Sequence, residues 1–541
     1  MRISRISVSN HRRTPDIDVD IREHAVFVGP NGVGKSTVLR LVDALLGSSW
    51  NQLVASLDVS HLRDGANPLQ VEVRLEGLDA DDLAHFADKV EVGTGDAIDT
   101  VWLTARLVAT VSTADPERLD ITRAFVKPRV ADSTITRDDL RLIGWTFLPA
   151  NRSPDRDIGG GRASVTRALL QALALDDVEA TAIKDAVASL STALRLSPSL
   201  LGVRKDLAKQ LSLLLPDPIG EDDLAVDLPS STIEQPLNDV DIQLDREGTR
   251  SPLSSQSDGL RSLSVVAVQL LARRSARILA IDEPEIHLHP RGQANLAGLL
   301  ATAPGQRLVA THAPAVLAEF LPSHAIAITP TGGRQLPAGS LESDKKVLHN
   351  WWIDSVLEPL TAMRVIFVEG ASDRIVVKAV ARILGHDLDR SGIAVVALHG
   401  SGNFRRALAL FGPSGFNIRS LGLVDEKEAI DPAAGLGVTV ADLLNHDVLI
   451  CHTDLEDEYV NALGVEQTVK LLLTSRLFSE SQIKTATRRT ALTDVQPSEL
   501  ATEVLRKNKV EAAVALAEGM SPAQAASIAT VKDLVERSVA P

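Results

Sequence analysis

A single cysteine, Cys451, stands in 541 residues, which excludes an internal disulfide framework and fits a reducing compartment. No apolar run is long enough to span a bilayer, so no membrane partner is expected. The first residues, MRISRISVSNHRR, lack the apolar core of a secretion signal; they read as a strand, with Ile3 and Val8 among polar neighbours. These absences point to the cytoplasm. No repeat or low-complexity tract stands out, and the missing coiled-coil heptads disfavour a purely structural clamp. Positive charge is also short. With 56 Lys and Arg against 71 Asp and Glu, the formal net charge is −15, which argues against a general basic coat for nucleic acid. A local basic groove remains open, and carboxylate-rich metal sites would themselves push the total negative. The 44% hydrophobic and 23% charged content is that of a soluble globular chain, and its length calls for two or three domains.

Residues 1–150 alternate apolar strand-like runs with polar turns. Between about 160 and 216 the period becomes helical. Ile183, Val187, Leu190 and Leu194 share one face, as do Val203, Leu207, Leu211 and Leu214, and Pro198 separates the two helices. Strand and helix alternation resumes from about 240 to 330. PTGGRQLPAG (330–339) reads as a turn-rich connector, a further α/β unit begins near 362, and the tail beyond 480 is mostly helical.

AVFVGPNGVGKST reads as strand, glycine loop and helix, with Gly29 to Ser36 matching G-x-x-x-x-G-K-[ST]. Gly29, Asn31, Gly32, Gly34 and Thr37 would form the backbone cradle for ATP phosphates. Lys35 would reach the β- and γ-phosphates, and Ser36 would hold Mg²⁺. ILAIDEPEIHLHP supplies a strand that ends at Asp282, suited to hold Mg²⁺ through water, and Glu283, placed to orient or deprotonate the attacking water. Two alternating histidines, His287 and His289, do not make a zinc site without further ligands.

SSQSDGLRSL (254–263) and the strand-end Thr311-His312 narrow the class. The order of motifs resembles the ATP-binding-cassette ATPases, in their SMC/RecF-like branch. That resemblance implies that His312 contacts the γ-phosphate. It also implies that Ser257 and Gly259 form a signature loop, worded unlike the usual LSGGQ, that completes the nucleotide site of a partner copy. A homodimer or larger homo-oligomer follows, with the helical insertion a plausible place to hold it. Arg152 in LPANRSP is a candidate phosphate or DNA contact, or a plain surface arginine.

A second set of strand ends carries acids. RVIFVEGASD runs from a buried strand into Glu369 and Asp373, SLGLVDEKEA into Asp425, and DVLICHTDLEDEYV into Asp454 and Glu456. Parallel-type strands would deliver these carboxylates to one edge, where ligands gather. Grouped hard oxygen donors suit Mg²⁺ or Mn²⁺, and two such ions could clamp the oxygens of a phosphodiester.

This pattern resembles a TOPRIM domain, and the pairing with an ATPase head resembles the OLD (overcoming-lysogenization-defect) nucleases, Gabija-type antiphage enzymes included. The resemblance implies an α/β chain: an ABC-type P-loop ATPase (1–159 and 217–335) interrupted by a helical dimerisation insertion (160–216). A TOPRIM α/β domain (360–480) and a helical C-terminal region (481–541) follow. It also implies an ATP-hydrolysing, metal-dependent DNA endonuclease serving phage defence or DNA processing. Whether a helicase-like or other defence protein takes part is left open. Glu369 and Asp373 match the family's E-x-x-x-D pair, Asp425 the first acid of D-x-D, Asp454 and Glu456 the later acidic pair, and Lys509 the catalytic lysine of the tail. Lys427 departs from the pattern, because an ammonium cannot ligate a metal. Glu426 or Glu428 replaces the missing acid, or one ion is held more weakly, or cutting is lost and the chain is an ATPase sensor or scaffold with a silent TOPRIM domain.

Overall fold

The computed structural model describes residues 1–93, 100–150, 177–199, 277–337 and 357–540, with short described runs between 201 and 266. It divides into two compact units, Met1–Leu148 with Arg277–Pro284 and Gln293–Pro541, and Pro149–Ala276 with Glu285–Gly292. The second unit contains the helix Asp177–Leu196 and the hairpin of Gln243–Arg246 with Thr249–Pro252. On that helix Ile183, Val187 and Leu194 are half-buried, but Leu190 is exposed, so the expected four-residue apolar face is narrower by one. The second expected helical face, Val203 to Leu214, lies outside the described residues, as does Arg152.

In the first unit an antiparallel sheet runs in the order Ile17–Asp20, Arg2–Ser9, Leu69–Glu76, Val101–Val111, Leu119–Val126, Ser133–Thr134. LQVEVRLE shows why one face is buried. Leu69, Val71, Val73 and Leu75 point inward while the polar residues between them point out. A second sheet, in the order Gly332–Gln335, Ala325–Thr329, Ala25–Val28, Gln306–Ala310, Ile278–Asp282, Trp145–Leu148, is parallel except at its Gly332–Gln335 edge. AVFV and ILAID are buried at every position, as strands covered on both faces must be. The helix Lys35–Leu46 packs Val38, Leu39, Val42 and Leu45 into a core shared by both sheets. Gln306, buried between them, accepts from the Ile3 amide at 2.8 Å and donates to the Ile3 and Arg22 carbonyls at 2.8 and 3.0 Å. The stretch read as a connector at 330–339 instead forms an edge strand at Gly332–Gln335, where Gly332 at φ 135° makes the turn.

A third sheet is wholly parallel, in the order Ile393–Ala397, Arg364–Val368, Arg419–Asp425, Val448–Cys451. Strand order reverses between Arg364–Val368 and Arg419–Asp425, and open α/β sheets bind ligands at such a reversal. Its core extends from Ile366 to Val535, through Leu505, Leu516 and Leu534 of the C-terminal helices. Arg364 Nη1 donates to the Ser538 carbonyl at 2.6 Å and fastens the tail to the first strand.

Burial holds the rings of His24 and His324, 5.2 Å apart, below their usual pKa, with His324 near 4 and repelled further by its neighbour. Both are neutral in folded and unfolded chains above the ordinary value of 6.5. Below it the unfolded chain takes up protons that the folded chain refuses. Stability is therefore expected to fall as pH drops from 6.5 towards 4, by roughly 3 kcal/mol for His324 alone. Denaturant midpoints across that window check this, and His324→Phe should flatten the decline.

Candidate nucleotide and metal sites

Gly29 at φ 151° and Gly34 at φ 106° shape the loop after Ala25–Val28. A Cβ on Gly34 would meet Thr14 at 2.6 Å, and one on Gly29 would run into the Ile328 carbonyl, so packing and backbone angle both demand glycine. The buried Lys35 ammonium donates to the carbonyls of Gly29 at 2.8 Å and Pro30 at 2.9 Å. Ser36 Oγ donates to Asp282 Oδ1 at 2.7 Å, and Arg40 approaches Asp282 Oδ2 at 3.8 Å. Glu283, at φ 45°, donates its amide to the Ala310 carbonyl at 2.8 Å, and its Oε1 lies 3.7 Å from His312 Nδ1. The ends of three neighbouring strands thus bring Lys35, Ser36, Asp282, Glu283 and His312 to one edge. Asn31 and Gly32 are exposed at the loop tip, and Thr37 is half-buried behind it. Ser257 and Gly259 fall in the second unit, Ser257 exposed and Gly259 in a helical turn.

At the third sheet, Glu369 follows its strand directly and Asp373 sits in the first turn of Ala371–Ile383. Asp373 is buried and caps that turn, accepting from the Gly370 amide at 2.8 Å and from Ser372 Oγ at 3.2 Å. Asp425 ends Arg419–Asp425 across the strand reversal from Glu369. Asp454 begins Leu455–Leu463, with Oδ1 accepting from the Asp457 amide at 2.9 Å. Glu456, 2% exposed, lies 3.3 Å from Lys509 Nζ.

These acids act on one another's charge. Burial first, then the charges of Glu369 and Asp373, push Asp425 up to about 8. Burial, then Glu428 and Asp373, raise Glu369, while a side-chain hydrogen bond with Asp425 offsets part of the rise. Burial also raises Asp373 and Glu456, and Lys509 opposes both shifts. For Lys509 itself burial favours the neutral amine, but Glu456, Asp373 and Asp425 outweigh it and raise its pKa.

Sequence reasoning left the replacement for Lys427 open between two acids. Glu426 Oε2 accepts the Thr453 amide at 3.2 Å, a structural task. Glu428 faces Glu369, and its buried Oε2 has no hydrogen-bond partner. Arg506 was missed. It donates to Asp454 Oδ2 at 2.5 Å and Asp457 Oδ2 at 2.6 Å, and its position one turn before Lys509 was the available signal. Among the described residues, no three His, Cys, Asp or Glu already stand close enough to hold a metal ion, His287 and His289 included. The donor set nevertheless fits a hard divalent cation. It is all carboxylate oxygen, it is partly to fully buried, and it carries an orphaned oxygen and a repulsion that positive charge would relieve.

Fold and site together define a P-loop ATPase domain followed by a TOPRIM domain. A family model described as "AAA domain, putative AbiEii toxin, Type IV TA system" matches residues 25–318, and "Overcoming lysogenization defect protein-like, TOPRIM domain" matches 360–426. The first match spans over half of the chain, which therefore belongs to that AAA family, with an OLD-like TOPRIM domain behind it. An OLD nuclease of Thermus scotoductus is 24% identical over 73% of this chain and 76% of its own length. The Old nuclease of Escherichia phage P2 is 22% identical over 78% and 77%. The solved C-terminal region of the Burkholderia pseudomallei OLD protein is 26% identical, covering 33% of this chain and 99% of its own, at a TM-score of 0.28.

Asp425 gives a signed test. The unfolded carboxyl ionises near 3.8, whereas the folded one holds its proton up to about 8. In chelator, stability should therefore fall as pH rises from 4 to 8, by on the order of 3–5 kcal/mol. Asp425→Asn should flatten that fall and raise the urea midpoint at pH 8. A midpoint unchanged or lowered there would contradict the repulsion described.

Proposed function

We propose that the chain is an ATP-binding and ATP-hydrolysing, divalent-metal-dependent DNA endonuclease acting in phage defence or DNA processing. The observation that carries this reading is the carboxylate group of the half-buried Glu369, Asp425 and Glu428 and the buried Asp373 and Glu456, with the Lys509 ammonium at its edge. Similarity to two proteins named as OLD nucleases supports it.

Glu369, Asp425 and Glu428 would hold Mg²⁺ or Mn²⁺, and a bound divalent ion would polarise the scissile phosphate and lower the pKa of an attacking water. Asp373 keeps Gly370 and the helix start in register beneath them. Lys509 is placed to meet the charge that develops on the phosphate oxygens. At the P-loop, Lys35 would exchange its two carbonyl partners for the β- and γ-phosphates of ATP. Ser36 and Asp282 would hold the nucleotide's Mg²⁺, Glu283 would orient water, and His312 would read the γ-phosphate. Ser257 and Gly259 would complete the site of a second copy, with the 160–216 insertion joining the dimer in the cytoplasm. The expected division into ATPase, insertion, TOPRIM and helical tail accompanies this reading.

Lys427 favours a second reading, an ATPase scaffold whose TOPRIM domain no longer cuts; Glu428 weighs against it. Supercoiled plasmid incubated with Mg²⁺ or Mn²⁺, with and without ATP, separates the two. Glu369→Gln and Glu428→Gln should each lower nicking by about 100-fold or more while ATP turnover persists. Lys35→Ala and Glu283→Gln should abolish ATP turnover. ATP turnover without cleavage under either metal would leave the scaffold standing.

A further inference from the structure

We infer that Arg506 keeps half of the acid site closed to metal until a DNA phosphate draws it away. This rests on the nuclease reading above. The guanidinium donates Nε to Asp454 Oδ2 at 2.5 Å, Nη2 to Asp457 Oδ2 at 2.6 Å and Nη1 to Thr502 Oγ1 at 2.8 Å. The other oxygen of Asp454 caps its own helix at 2.9 Å. Both oxygens of Asp454 are therefore engaged, one of them by a permanent positive charge. A divalent ion reaching Oδ2 beside a guanidinium meets direct repulsion. Glu456, on the same helix turn, is covered by Lys509 at 3.3 Å.

The other half of the site differs. Among the described residues no Lys or Arg forms an ion pair with Glu369, Asp425 or Glu428; Glu428 repels Glu369, which shares a hydrogen bond with Asp425, and Lys509 acts on Glu369 and Asp425 only through space. The first cation binds there, and the Asp454 and Glu456 half stays neutralised from within.

The backbone around Arg506 is suited to release. Leu500–Leu505 is π-helical, Arg506–Asn508 is a 3₁₀ turn, and α-helix resumes at Lys509. Such changes of helical pitch mark functional positions, and on either side of this one Arg506 meets Asp454 and Asp457 while Lys509 meets Glu456, all at the start of one helix. The Arg506 side chain is 29% exposed, so it can swing without disturbing the core. The natural competitor for it is the phosphodiester backbone, since a planar guanidinium pairs with phosphate in a bidentate fork. Arrival of the strand frees Asp454, and only then does a second ion complete the pair that phosphodiester cleavage uses. Arg506 is thus a positioning residue that makes the second metal depend on substrate.

The test counts Mn²⁺ bound to the full chain without nucleotide, from the electron paramagnetic resonance of free Mn²⁺. Wild type should bind one ion tightly, and a second when a short phosphorothioate DNA duplex is added. Arg506→Gln should take the second ion without DNA, at least about tenfold more tightly than wild type. Asp457→Asn, which removes one anchor of the guanidinium, should shift binding the same way by less. Circular-dichroism melting identifies the folded variants. Equal second-ion affinity in wild type and both folded variants, or no second ion with duplex, overturns the inference and leaves the nuclease reading intact. No bound Mn²⁺ in any form removes both.

Discussion

Carboxylates brought together at the ends of parallel strands repel one another, and the TOPRIM half of the molecule is arranged around that repulsion. Three strands deliver Glu369, Asp425 and Asp454: the first is followed directly by its acid, the second ends on it, and the third leads through His452 and Thr453 to Asp454. The compensating charge comes from far along the chain. Arg506 and Lys509 lie on C-terminal helices whose apolar faces, from Leu505 to Leu516, belong to the same core as Ile366 and Leu421. Burial of that shared core holds the cations against the acids. Backbone strain collects at the same edge, where His399 at φ 53° and the β-branched Thr453 at φ 68° follow strand ends. The Thr453 amide is fixed by Glu426, and Glu458 accepts from both the His452 amide and the Thr530 hydroxyl.

The nucleotide site follows the same logic with the signs exchanged. Lys35 spends its charge on two loop carbonyls, and Asp282 takes the Ser36 hydroxyl. In both halves some of the groups that would meet ligand already hold internal partners: Lys35, Ser36 and Asp282 at the P-loop, and Asp454 and Glu456 at the acid site. Ligand binding then becomes an exchange of partners, and little ordering of side chains remains to oppose it.

Strands and motifs were legible wherever the information is contiguous. AVFVGPNGVGKST and ILAIDE announce strand, turn and chemistry within about a dozen residues; the acids at 369 and 425 end apolar runs, and those at 373, 454 and 456 lie a few residues beyond such runs in a family pattern. What stayed hidden depends on approach through space. Arg506 reads as one more charge on a helical tail until Asp454 and Asp457 are placed opposite it. Gly332–Gln335 looks like a turn because two glycines dominate its composition, yet pairing with Ala325–Thr329 makes it a strand. Leu190 shares a helical period with half-buried neighbours but faces solvent, since period alone does not say how wide the covered face is.

Lys427 shows how a broken motif can keep its geometry. In an extended chain, side chains two apart share a face, so a pair of acids spaced as D-x-D points one way. Here the extended segment ends at Asp425, and Glu426–Glu428 form a 3₁₀ turn. Side chains three apart eclipse in such a turn. The acid on the side of Asp425 is therefore the third residue on, Glu428, and Lys427 is left exposed. The tighter turn converts a two-residue spacing into a three-residue one, and a carboxylate still faces Glu369. The ammonium at 427 thus coincides with a change of backbone period, from extended strand to 3₁₀ turn.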